Sequence, residues 1–157
     1  VNVGKFKQQK RHDILIKAYA KANVQEKLVL VGTGELLEAS KKLVKDLGIE
    51  DKVIFTGFKK NPYPYMKHAK LMVLSSDFEG LGLVILEALA LGTPVISTDC
   101  PSGPNEILAN QYLVAVQDVD ELASRIRLFV EKDTEVSYLN QKFTQLVATK
   151  AYLDLCK

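Results

Sequence analysis

The sequence predicts an α/β fold of three layers, a parallel sheet of about six strands covered on both faces by right-handed crossovers. Three observations carry that expectation. Short apolar runs alternate with stretches of helical periodicity along most of the chain. The run from Leu71 to Asp99, LMVLSSDFEGLGLVILEALALGTPVISTD, reads by itself as a strand, a turn of small and acidic residues, an apolar helix and a second strand, which is a βαβ unit. Loops rich in glycine, lysine or small polar residues follow the strands.

Taken in order, Val1 to Gly4 reads as a strand and Gly4 to Arg11 (GKFKQQKR) as a basic loop. A helix follows over Asp13 to Ala22, with Leu15, Ala18, Tyr19 and Ala22 at i, i+3, i+4 and i+7. Lys27 to Val31 is a short apolar strand, and Gly32, Thr33 and Gly34 start a helix that carries Leu36, Leu43 and Leu47 and stops at Gly48. Lys52 to Thr56 is the third strand. Asn61 to His68 reads as a short, irregular helix, because Pro62 and Pro64 restrict where it can begin.

In the central unit, Leu71 to Leu74 is a buried strand, Ser75 to Gly82 the turn, Leu83 to Leu91 the helix and Val95 to Thr98 the next strand. The helix is apolar at nearly every position, so it is expected to be largely buried. Beyond it come the loop Asp99 to Pro104, a helical turn over Asn105 to Leu108 and a last short strand over Tyr112 to Val116. Asp118 and Glu121 have capping-box spacing for a helix ending near Lys132, with Leu122, Ile126, Phe129 and Val130 inward. Another helix is expected over 134–149, then a terminal segment through Leu155.

With 157 residues, of which 47% are hydrophobic and 25% charged, the chain fits one globular domain with a sizeable core. A first residue other than Met, inside an apparent strand, reads as the start of a piece of a longer protein. The net charge of +2 is too small to make nucleic acid or an anionic membrane the main partner. Cys100 and Cys156 form no metal-ligand or disulfide pattern, which favours a reducing compartment. Gly80 to Ser97 is apolar enough to resemble a membrane span. Glu87 near its middle and the Gly92-Thr93-Pro94 break argue against one.

In parallel sheets of this kind the ligand lies outside the carboxyl ends of the strands, at the switch point in strand order. The loops Gly4–Arg11, Gly32–Gly34, Gly57–Lys60, Ser75–Gly82 and Asp99–Pro104 each follow a strand, so all are expected on one rim. Gly82, Leu83 and Val84 open the apolar helix, where unpaired backbone N–H groups and the positive end of the helix dipole suit a phosphate. Lys5 and Lys10 beside it would neutralise a diphosphate. An ionised Glu87 in an apolar helix needs a cation, hydrogen-bond donors or a ligand's hydroxyls; its alternatives are a buried lysine pair and a seat for ribose. Glu79 is either a solvated loop acid or a group facing the sugar end of a ligand. The Asp118-Val-Asp120 pair heads a helix, and capping explains it better than a metal. His12 and His68 have no ligand partners at useful spacing and read as surface or packing residues.

EGLGLVILE (Glu79 to Glu87) followed by ALALGTPVIST resembles the signature of the family 4 retaining glycosyltransferases, the group-1 glycosyltransferases of GT-B architecture. VGKFKQQKRHDILIKAYAK is similar to that family's first strand, basic loop and first helix. LVLVGTGELLEASKKLVKDLGIEDKVIFTGF is similar to its next two strands, and CPSGPNEIL with LVAVQDVDELASRI to its later part. The resemblance implies a single Rossmann-like domain over residues 1–157, the C-terminal, donor-binding half of a two-domain enzyme whose N-terminal acceptor half is absent. It implies transfer of a sugar from a nucleotide diphosphate donor, UDP- or GDP-linked, to a glycan or lipid-linked acceptor with retained anomeric configuration.

By that resemblance Lys5 and Lys10 hold the diphosphate, with Lys5 standing where the family commonly has Arg. Glu79 takes the catalytic position and contacts the donor sugar, and Glu87 holds the ribose. The amides of Gly82, Leu83 and Val84 meet the sugar and phosphate end, while Phe58 and Lys59 lie near the base. No metal and no further cofactor are implied. Polysaccharide or lipid-linked glycan synthesis in the cytoplasm or at the cytoplasmic face of the inner membrane is expected, with peripheral membrane association of the full-length protein. The isolated chain should bind nucleotide but turn over poorly.

A noncatalytic nucleotide or sugar-phosphate binding module is the alternative. A receiver domain of flavodoxin-like fold would need an acidic cluster after the first strand and an Asp after the third, where this chain has Lys5 and Gly57-Phe58.

Overall fold

The computed structural model of the chain describes residues 1–131; the helix expected over 134–149, the segment through Leu155 and Cys156 lie outside them. Strands β1 (Asn2–Val3), β2 (Leu28–Val31) and β3 (Val53–Gly57) form one parallel ladder in the order β1-β2-β3. Strands β4 (Met72–Leu74), β5 (Val95–Thr98) and β6 (Leu113–Val114) form a second in the order β4-β5-β6. Each crossover is helical: α1 (His12–Ala22), α2 (Leu37–Asp46), α3 (Tyr63–Lys67), α4 (Leu83–Ala90) and α5 (Pro104–Ile107), with α6 (Val119–Glu131) closing the described part.

The expected single sheet is thus two three-stranded ladders, and their junction shows why. Val1 N donates to Leu71 O at 2.7 Å, and Val73 N donates to Val1 O at 3.0 Å, which is one parallel bridge between the β1 and β4 edges. The carbonyl of Val73 is then taken by the side-chain amide of the buried Asn2 at 2.8 Å, where a continued ladder would use main chain. Asn2 therefore joins the two halves through its side chain. Across that junction the spatial order becomes β3-β2-β1-β4-β5-β6, which reverses between β1 and β4 and opens a crevice there.

One core cluster lies under α1 and α6, with Leu15, Ile16, Leu30, Ile96 and Leu122 at its centre; a second lies under α4, with Met66, Met72, Ile85 and Val95. The helix after Gly32 starts later than expected, at Leu37, because the chain from Gly32 to Leu36 runs along the β1 loop: Phe6 N donates to Thr33 O and Leu36 N to Phe6 O, both at 3.0 Å. Gly32 makes that close approach possible, since a Cβ there would stand 1.9 Å from Gly4 O. Proline 62 sits at the N-cap of α3, where its missing N–H costs nothing. Half of the expected capping box forms: Asp118 Oδ1 accepts from Glu121 N at 2.8 Å, but Glu121 Oε2 takes Ala115 N instead of closing back on Asp118.

The expectation for α4 needs correction. Ile85, Ala88 and Leu89 are buried, but Leu83 is 64% exposed, Ala90 is exposed and Glu87 is half-buried. The face that carries Leu83 and Ala90 is left open by the described residues. Among the described residues no helix is long and apolar enough to cross a membrane.

Candidate functional site

The loops singled out by sequence do share one rim, each touching the next in the order of the strands. Gly32 N donates to Gly57 O, joining the β3 and β2 loops, and Gly4 N donates to Val31 O, both at 3.0 Å. The β1 loop meets the β4 turn through Asp77 N to Gln9 O at 2.9 Å and Gln9 Nε2 to Phe78 O at 2.7 Å. Ser75 Oγ donates across the same gap to the Lys10 and Arg11 carbonyls at 2.9 and 3.0 Å. Thr98 Oγ1 at the end of β5 donates to Ser76 O at 2.6 Å, and Glu79 N reaches Pro101 O at 3.4 Å.

At the middle of the rim, Lys10 Nζ stands 2.7 and 2.9 Å from the two oxygens of Glu79. Glu79 is 8% exposed, so it is no solvated loop acid, and Ser76 Oγ donates a further 2.5 Å hydrogen bond to Oε1. A carboxylate this enclosed is kept by its lysine and hydroxyl donors. The sequence placed Lys10 against a diphosphate and Glu79 against a sugar as separate groups; the fold brings them into one pair. Lys5 lies in the same loop, exposed, and takes part in no ion pair among the described residues.

Gly82 is the N-cap of α4 with φ +68°, a left-handed conformation that a glycine adopts without strain. Among the described residues no side chain caps the helix and no acidic residue stands in its first turn, which leaves the amides of Leu83 and Val84 without a side-chain acceptor there. Glu87, one turn further on, is not neutralised by a lysine: among the described residues no ion pair includes it, and its polar contact is the Tyr63 hydroxyl at 3.4 Å from Oε1. Phe58 is 74% exposed at the end of β3, and Lys59 Nζ lies 6.0 Å from the centre of the Tyr65 ring. Neither touches Lys10, Glu79 or Glu87 directly. Lys59 is linked to Glu87 through α3, which carries both Tyr65 and Tyr63.

Residues that the sequence did not flag complete the frame. Arg11 takes a left-handed backbone at φ +46° between the β1 loop and α1. Its guanidinium makes two 2.9 Å bonds to Asp13 and reaches Asp77 at 3.2 Å, while Gln117 Nε2 donates to Asp77 Oδ1 at 3.1 Å. The Asp13 hydrogen bonds, then the Asp77 contacts, hold the guanidinium charged well above the ordinary range against the opposing effect of burial, and Arg11 holds the Asp13 carboxyl below its usual range. His12 follows, buried to 4% exposure and stacked on Phe6 at 4.0 Å between ring centres. Burial first, and the nearby Lys10 charge second, lower its pKa to about 4. A lone arginine and a lone aspartate 66 positions apart give no sequence signal of their pairing.

A cavity also lies at the opposite end of the strands. About 500 Å³ opens at the amino ends of the strands, lined by apolar side chains such as Leu15, Leu28, Leu71 and Ile126. Its lining also includes the Glu26–Lys70 ion pair, whereas Lys10, Glu79 and the start of α4 stand together at the rim.

A doubly wound α/β sheet with its polar groups at the carboxyl edge of the strand-order reversal defines the Rossmann-like class. The chain belongs to the glycosyl transferases group 1 family, whose profile matches residues 1–145. It is 34% identical over 152 residues to the N-acetylgalactosamine-N,N'-diacetylbacillosaminyl-diphospho-undecaprenol 4-alpha-N-acetylgalactosaminyltransferase of Campylobacter jejuni, covering 94% of this chain and 42% of that protein. The structure superposes on the apo lipopolysaccharide outer core galactosyltransferase WaaB with a TM-score of 0.89 and 25% identity, covering 99% of this chain and 47% of the other. It also superposes on Anabaena HepE in complex with UDP-glucose, with a TM-score of 0.75 and 30% identity, covering 83% and 39%. The fold is that of the Rossmann-like C-terminal half of GT-B glycosyltransferases. The chain spans less than half the length of these proteins.

Proposed function

We propose that the crevice between β1 and β4 binds the nucleotide diphosphate of an activated sugar, and that the chain is the donor half of a retaining glycosyltransferase of family 4. The observation that carries this reading is the convergence at one rim of the start of α4, the Lys10–Glu79 pair and Glu87, with no side-chain cap on that helix and no lysine partner for Glu87 among the described residues. Lys5 and Lys10 meet the diphosphate, the Leu83 and Val84 amides meet its sugar end, Glu79 contacts the donor sugar and Glu87 accepts from the ribose hydroxyls. Phe58 and Lys59 flank the base. In the reaction the bond from the anomeric carbon to the diphosphate oxygen breaks, an acceptor hydroxyl oxygen bonds to that carbon on the same face, and the hydroxyl proton passes to the departing diphosphate oxygen. The lysines and the helix start stabilise charge on the departing diphosphate.

The donor bound to Anabaena HepE supports a UDP-linked sugar, and the undecaprenol-linked acceptor named for the Campylobacter jejuni relative supports a lipid-linked glycan as acceptor. The acceptor is held by a further N-terminal domain, so this chain alone binds donor and turns over poorly.

Calorimetry with UDP, GDP and ADP on the wild type and on Glu87→Ala tests the reading. At least one nucleotide binds, and losing the ribose acceptor weakens it by about tenfold, the worth of one charge-assisted hydrogen bond. Silence from all three nucleotides sinks the proposal.

A further inference from the structure

We infer that Arg11 is a positioning residue for the diphosphate subsite, acting through Lys10 by clamping the β1 loop to the β4 turn. The inference rests on the reading of the crevice as a nucleotide site. Arg11 occupies a backbone conformation, φ +46°, that side-chain-bearing residues seldom adopt and glycine adopts freely. An arginine at such a position is retained only where the surroundings over-determine it. Here they do. Three of its guanidinium nitrogens are committed: Nε and Nη2 to Asp13 at 2.9 Å, and Nη1 to Asp77 at 3.2 Å.

The side chain of Arg11 is 14% exposed, so the guanidinium is spent within the protein and does not face a ligand. What it fixes is the position of its neighbours. Lys10 precedes it by one residue and Glu79 follows Asp77 by two, so the Arg11–Asp77 contact and the Lys10–Glu79 pair are adjacent stitches across the same gap. Asp77 is held from a third side by Gln117, itself at φ +64°, which ties the segment after β6 into the clamp. Without the clamp, Lys10 keeps its charge but loses its fixed place, and a misplaced charge gives up much of its worth to a diphosphate.

Arg11→Gly separates positioning from folding, because glycine accepts the left-handed backbone while removing the guanidinium. The probes are UDP, GDP and ADP, whichever binds the wild type most tightly, and the matching nucleoside, titrated into the 157-residue chain by NMR so that millimolar affinities are read. Arg11→Gly weakens the diphosphate by about tenfold and leaves the nucleoside within about twofold, since only the phosphates meet Lys10. In a Lys10→Met background, Arg11→Gly changes neither ligand further. Arg11→Lys, which keeps charge without the fork, falls between wild type and glycine. Equal loss for nucleoside and diphosphate, an undiminished effect without Lys10, or no effect at all overturns the inference while leaving the nucleotide site standing. Absence of any binding to the wild type overturns both.

Discussion

His12 shows how one side chain can anchor the β1 loop by packing alone. Its ring is buried on Phe6, neither ring nitrogen has a hydrogen-bond partner among the described residues, and burial lowers its pKa to about 4 from the ordinary 6.5. Between those values the unfolded chain binds a proton that the folded one refuses, so stability rises with pH across that window and is lost as pH falls from about 6.5 towards 4. The contribution is on the order of 3 kcal/mol at the acid end. Urea unfolding of wild type and His12→Phe at pH 7 and pH 4.5 checks it: the wild type weakens more on acidification than the variant. Equal pH dependence would remove His12 from the account.

At the same scale, the Lys10–Glu79 pair predicts asymmetric costs. Glu79→Gln keeps the Ser76 hydrogen bond in reach and leaves the partly exposed lysine charge, 20% exposed, to water, whereas Lys10→Met leaves an enclosed carboxylate, 7% exposed, without its cation. Lys10→Met is therefore the more destabilising, by about 1–3 kcal/mol relative to Glu79→Gln, as measured by thermal unfolding. The reverse order would mean that the carboxylate is solvated.

Among the elements, the turn from β4 into α4 and the strand end after β2 rest on backbone that glycine adopts without strain. Gly32→Ala forces a Cβ into the Gly4 carbonyl, which must displace the β1 loop, and costs more than about 3 kcal/mol, while Gly82→Ala bears chiefly the left-handed strain of about 1–2 kcal/mol. Chemical denaturation ranks the two, and a milder Gly32→Ala would show that the loops are less tightly packed than they stand. These glycines were legible in the sequence as loop formers, and so were the six strands. The exposed face of α4 was not. Hydrophobic periodicity reports which residues could be buried, and an apolar helix reads as enclosed even where Leu83 faces outward on the rim.

For the molecule as a whole, the strand alternation made the parallel sheet legible, and the loops after the strands made the rim legible. The division into two ladders was not, because it turns on the Asn2 side chain replacing main chain at the β1–β4 junction. Likewise the frame of the site, Arg11 with Asp77, Gln117 with Asp77 and Ser76 with Glu79, consists of pairings between ordinary polar residues that only the fold brings together. Sequence singled out the candidate groups; tertiary structure decided how they pair. Among the described residues Lys5 and Glu87 take part in no ion pair, while Lys10 rests on Glu79.

Backbone amide shifts on titration with UDP or GDP test the central claim most directly. Perturbation centred on Gly82, Leu83 and Val84, extending to Lys5 and Lys10, is the result this account predicts. Shifts confined to the apolar cavity at the opposite end of the strands, around Leu28, Leu71 and Ile126, would contradict it.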